Sequence, residues 1–147
     1  MFAQEYSHTC LPACIRIVLA YRGKHHSETE LAKICRTVPV WGTSPAMAVD
    51  GLEEFGYRAL WFENATLERL FDLLAQDWPV IVFLRATDIP HGRAGLHAVV
   101  VSEWVSGEFL YVDPAQGEEK SLPLDDFIRA WATLGNQGMV VWLPVVD

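Results

Sequence analysis

The apolar residues of this chain change their spacing partway along it, and that change constrains the fold more than any single motif does. Up to Phe55 they recur three and four apart, as on helices; after Trp78 they fall mostly into short runs rich in Val, Ile and aromatics. Leu11, Cys14, Ile15, Val18 and Tyr21 make one stripe over 11–22, with Pro12 tolerated in the first turn and Gly23 as the stop. Ser27-Glu28-Thr29-Glu30 is a capping box for a short helix through Leu31 and Ile34. Gly42 to Pro45 start a third helix ending at Phe55 before Gly56, and Thr66 or Asn64 starts a fourth through Leu67, Leu70, Phe71 and Leu74. Strands are expected at 57–62, 79–84, 97–104, 108–113 and 139–143, with a helix across Asp125–Trp131. Helices first and a mostly antiparallel sheet after them predict one α+β domain over 1–147, without repeat or internal linker.

Bulk properties narrow the function classes. At 147 residues the chain can bury a core without disulfides or metals. A net charge of −8 with only 11 Lys plus Arg argues against a nucleic-acid or anionic-membrane surface. No apolar run approaches the roughly 20 residues of a membrane-spanning helix. The start, MFAQEYSHTC, lacks the basic and apolar segments of an export signal, so a cytoplasmic setting is expected. Three cysteines (Cys10, Cys14, Cys35) cannot all pair within the chain and are expected as free thiols. Cys10 and Cys14 would share a helix face and could touch, but no standard zinc spacing joins them to His8, His25 or His26. No metal and no cofactor are expected.

Cys10 stands where a loop becomes a helix, a position at which unpaired N–H groups and the helix dipole stabilise a thiolate. Gln4, just upstream, can bring an amide donor to the same spot. Such a thiol needs a base. Of five histidines, His8, His25 and His26 lie in polar, loop-like sequence and are expected to be solvated, while His91 sits in the Gly-rich loop 85–96. His97 opens an apolar strand. The next strand ends in Asp113-Pro114, which by itself reads as an ordinary turn former. Because only Ser106-Gly107 separates the two strands, their far ends return to one edge and bring His97 and Asp113 together.

Register decides whether the two share a face. A two-residue turn sets Asp113 opposite residue 100, on the wrong face for His97. A three-residue loop 105–107 with a bulge at Gly107 sets it opposite Val99, one diagonal from His97. A catalytic pair therefore requires an odd-length loop or a bulge in this hairpin. Cys14 is expected as a buried small hydrophobe, and Cys35, beside Arg36, has no base near it. Glu118-Glu119 and Asp125-Asp126 are expected to be solvated charges of a turn and a helix start.

Gln4, Cys10-Leu-Pro-Ala-Cys14 and IVLAYRG resemble the start of the double-glycine leader peptidases, papain-like cysteine peptidase domains of bacteriocin-exporting ABC transporters. The resemblance continues through GTSPAMAVDGLEEFGYRALWF (42–62), PVIVFL (79–84), HAVVVSEWVSGEFLYVDPAQG (97–117) and LPLDDFIRAW (122–131). It implies Cys10 as nucleophile, His97 as base, Asp113 as orienting carboxylate and Gln4 as oxyanion donor. It also implies a papain-like fold, cleavage after a Gly-Gly or Gly-Ala pair, and a precursor peptide with an amphipathic leader as substrate. A transporter membrane domain is the implied partner, which would put the enzyme at the cytosolic face of the inner membrane. The family usually has Gly after the nucleophile; here Leu11 is expected to narrow the cleft or tilt the helix start. A stand-alone deamidase, acyl transferase or effector protease with the same residues is an alternative, as is a non-catalytic leader-binding module.

Overall fold

The computed structural model describes residues 10–39, 42–85 and 96–144. Three helices come first: α1 (Cys10–Tyr21), α2 (Glu28–Ile34) and α3 (Pro45–Phe55). Next are β1 (Arg58–Phe62), α4 (Leu67–Ala75), β2 (Val80–Arg85), β3 (Leu96–Val105) and β4 (Glu108–Asp113). The chain continues through β5 (Glu118–Pro123), α5 (Leu124–Ala132) and β6 (Gly138–Trp142). The strands form one six-stranded antiparallel sheet in the order β1-β6-β2-β3-β4-β5.

Local chemistry accounts for most boundaries. Gly23 and Lys24 close α1, with the Gly23 N–H donating to the Ala20 carbonyl and the Lys24 N–H to that of Leu19; Gly23 takes the left-handed φ of 78° that such an ending requires. Ser27 caps α2 by accepting from the Glu30 N–H at 3.0 Å, and Thr66 caps α4 by accepting from the Arg69 N–H at 3.1 Å. Ser44 precedes Pro45 at the start of α3 without a side-chain capping bond.

The sheet separates two apolar clusters. On one face α1 lies against β3, β6 and β2, with α2 packed on α1 and α3 on α2 and β1; on the other face lie α4 and α5. Covering both faces explains the unbroken apolar run Val80–Leu84, every residue of which is buried. The α1 stripe is wider than the sequence pattern indicates, since Ile17 and Leu19 are buried with Leu11, Cys14, Ile15 and Val18, whereas Tyr21 is 54% exposed. Each fully buried Ile, Leu or Val contributes about 1.5–3 kcal/mol. Anchoring by Ile15, Val18 and Leu19 therefore far exceeds any capping term of about 1 kcal/mol in holding α1 in place.

One strand was not foreseen. Glu118-Glu119, expected in a turn, instead open β5, pairing with Asp113 and Val112. Only Leu122 of this strand is buried, so no apolar alternation marks it; charge is what an exposed edge carries.

α3 crosses the end of α2 so closely that Gly51 has no room for a side chain. A Cβ there would sit 1.8 Å from the Ile34 carbonyl oxygen. Gly51→Ala is expected to destabilise the protein by more than about 1 kcal/mol despite the helix-propensity gain of about 1 kcal/mol, because overpacking against backbone typically costs about 1–3 kcal/mol or more. Urea unfolding measures this, and an unchanged midpoint would contradict so tight an α2–α3 crossing.

Candidate active site

Burial of α1 carries its first residue to the end of the sheet. Cys10 is half-buried and packs against the apolar cluster that α1–α3 form with the sheet. Leu11 is only 3% exposed and lies in that same cluster. Its side chain fills core space: the helix turns that position inward.

The β3–β4 hairpin supplies the other groups. Its turn is the two-residue Ser106-Gly107, both left-handed at φ 51° and 83°, joining Val105 to Glu108. An unbroken ladder from that turn would set Asp113 opposite Val100. The ladder shifts between Val101 and Glu103, leaving Ser102 as a bulge, so that Val101 faces Tyr111 and Val100 faces Val112. The next step places Asp113 opposite Val99, on the face of His97. The bulge required for the pair is present, at Ser102 rather than in a three-residue loop.

The His97 Nε2 and Asp113 Oδ1 are 2.6 Å apart. Asp113 is 1% exposed, and the same Oδ1 accepts from the Ala115 N–H at 2.9 Å. The Asp113 carbonyl accepts from the Gln116 and Gly117 N–H groups at 3.1 and 2.8 Å. The Asp-Pro turn and the histidine contact thus coexist: the turn fixes the carboxylate that meets the ring. The Ala115 N–H is a positioning group that side-chain reasoning overlooks, because it is backbone.

With Nε2 on Asp113, Nδ1 is the nitrogen left for the thiol. Burial by itself would lower the His97 pKa, but hydrogen bonds to Asp113 and to Cys10, with their charges, outweigh it and raise the value to about 9. By strand alternation His97 and Asp113 share the side of Val99 and Tyr111, whereas Cys10 packs on the α1 side. Cys10 is nevertheless close enough to His97 to help raise its pKa.

The other thiols behave differently. Burial, then the charges of Cys10 and Asp113, push Cys14 well above its ordinary range, and burial pushes Cys35 to about 12. Tyr111, beneath Asp113, is raised to about 12 by burial and by that carboxylate. His25 is exposed as expected, but His26 is not solvated. Its ring is 12% exposed, bonded through Nδ1 to Glu30 and through Nε2 to the Tyr57 hydroxyl, with edge contacts to Phe55 and Tyr57. Gln4, His8 and His91 lie outside the described residues. Among the described residues, no group of three His, Cys, Asp or Glu side chains could hold a metal ion, and no helix is long and apolar enough to cross a membrane.

Among solved structures, a Bacillus anthracis protein described as a C39-like peptidase matches with a TM-score of 0.79 at 16% identity, covering 100% of this chain and 96% of that one. The peptidase domain of Streptococcus ComA, a bi-functional ABC transporter of a quorum-sensing pathway, matches at 0.78 with 19% identity over 97% of each chain. A double-glycine-motif protease from an AMS/PCAT transporter, solved with a leader peptide, matches at 0.75 with 18% identity over 98% of this chain and 91% of that one. Identities this low show a shared fold, the papain-like one of C39 peptidases. No curated protein matches the sequence significantly. The Peptidase_C39 like family model matches residues 1–139, and the chain belongs to that family.

Proposed function

We propose that the protein is a cysteine peptidase that removes the leader from a ribosomally made precursor, cutting after a Gly-Gly or Gly-Ala pair. The observation that carries this reading is the 2.6 Å contact between His97 and Asp113, on a ring whose pKa is also raised by Cys10 at the start of α1. Membership of a peptidase family and likeness to a double-glycine-motif protease support the substrate class.

Cys10 reacts as a thiolate paired with protonated His97 and attacks the scissile carbonyl. Asp113 holds the ring with Nδ1 toward the thiol and stabilises its cation. The Cys10 backbone N–H and the Gln4 side-chain amide receive the oxyanion, an interaction of about 3–4 kcal/mol per donor at the transition state. His97 protonates the leaving amine, and water assisted by the neutral ring hydrolyses the thioester. The glycines of the substrate let an extended backbone approach the thiol closely. The precursor's amphipathic leader, a cytosolic setting and an ABC transporter membrane domain as partner complete the reading. The same thioester also serves deamidation and acyl transfer.

Incubation with precursor peptides bearing Gly-Gly leaders, read by mass spectrometry, is expected to show a cut after the second glycine, abolished in Cys10→Ala. Absence of any cut, with a deamidated product instead, would replace the peptidase reading. A second expectation concerns pH. Leaving-group protonation needs the imidazolium, so kcat/KM should fall on the alkaline side near pH 9. Asp113→Asn keeps an acceptor but removes the charge that raises His97, so this limb should move to lower pH. A limb that stays in place would show that Asp113 does not tune the ring.

A further inference from the structure

The proposed chemistry leaves one nucleophilic group unused beside it. Cys14 lies one helical turn from Cys10 on α1, is 0% exposed, and sits in the cluster against which Cys10 packs. We propose that Cys14 is a resolving thiol: peroxide oxidises Cys10 to a sulfenic acid, and Cys14 captures it as a reversible Cys10–Cys14 disulfide that silences the site. The inference rests on Cys10 being the activated thiol of the proposed peptidase.

The steps balance. The Cys10 thiolate attacks one peroxide oxygen, the O–O bond breaks, and the sulfenic acid and one water result after proton uptake. The Cys14 sulfur then attacks the Cys10 sulfur and displaces hydroxide, which leaves as a second water by taking a proton from His97, while the Cys14 proton passes to the ring. Two thiols are oxidised by two electrons and one peroxide is reduced to two waters. An external dithiol reverses the bond by exchange.

Geometry makes the bond attainable and labile at once. Cβ atoms four apart on a helix are about 5–6 Å from each other. A disulfide needs about 3.5–4.5 Å, so the start of α1 must unwind slightly. Cys10 is the first residue of that helix, where few backbone bonds resist opening. A bridge closed under such strain is readily reduced, which suits a switch.

Electrostatics sets the order of events. Burial first, then the charges of Cys10 and Asp113, keep Cys14 protonated, so the buried thiol does not compete for peroxide. Conversion of Cys10 to a neutral sulfenic acid removes one of these contributions, and the opening of the helix start that the bridge requires lessens the burial. Cys35 provides the contrast: it is 0% exposed, and burial alone, with no contribution from Cys10, raises it.

The test treats the reduced protein with hydrogen peroxide, alkylates the remaining thiols and maps peptides without reduction. The expected product has lost two hydrogens, with Cys10 and Cys14 linked and Cys35 alkylated, and dithiothreitol restores the starting mass. Cys14→Ser and Cys14→Ala should instead carry Cys10 with two added oxygens, and recovery by dithiothreitol should be lost; Cys35→Ser should match the wild type. Wild-type Cys10 that gains two oxygens while Cys14 stays an alkylatable thiol overturns the resolving role and leaves the peptidase reading intact, as does a bridge to Cys35 or between chains. Peroxide that leaves Cys10 untouched overturns the activated thiol and the resolving role together. Because the wild-type map needs no substitution, misfolding of a variant does not spare the inference.

Discussion

Burial of α1 against β3, β6 and β2 is the constraint on which the site depends. Ile15, Val18 and Leu19 are wholly excluded from water, so the helix can neither roll nor slide without opening the core. The body of the helix is therefore held in place and brings its first residue close enough to His97 to act on the ring's charge. Close packing transmits that rigidity: Leu11 and Cys14 face inward, and Cys10 alone of the first turn's thiols remains half-exposed. A side chain mounted on a buried helix is positioned more precisely than one on a loop.

The hairpin opposite solves a parity problem. A two-residue turn suits the twist of β3 and β4, yet it would send the Asp113 carboxylate to the face away from His97. One extra residue at Ser102 reverses the parity of everything beyond it. The bulge lies between the turn and the site, so the turn keeps its favourable geometry and the strand ends keep theirs. Asp113 then satisfies its Ala115 N–H and the His97 ring with a single oxygen, which lets a nearly inaccessible carboxylate persist beside a cation. Burial opposes the charge on His97, and the two hydrogen bonds prevail.

His26 shows how the same residue type can serve structure alone. Its ring ties the start of α2 to Tyr57 and to Phe55 at the end of α3. Both of its nitrogens are occupied within the helical layer, far in the sequence from the strands that hold His97. Polar neighbours in sequence suggested solvent; tertiary packing supplied partners instead.

Much of this was legible before any coordinates. Ser27, Thr66 and Gly23 mark element ends because capping and left-handed φ are local properties, and the apolar runs at 79–84 and 98–101 declare buried strand segments through side-chain chemistry alone. Pairing His97 with Asp113 also followed from the shortness of the Ser106-Gly107 connection. Four things did not follow: that the register shift sits at Ser102, that β5 extends the sheet with charged residues, that Leu11 turns into the core, and that His26 finds partners in the helical layer. The sequence by itself determined the five helices and every strand but β5, and which residue types are available for a site, since these depend on neighbours a few positions away. Only the tertiary structure decided the face each one occupies, because a one-residue shift in a ladder costs little locally and moves every side chain beyond it to the other side of the sheet.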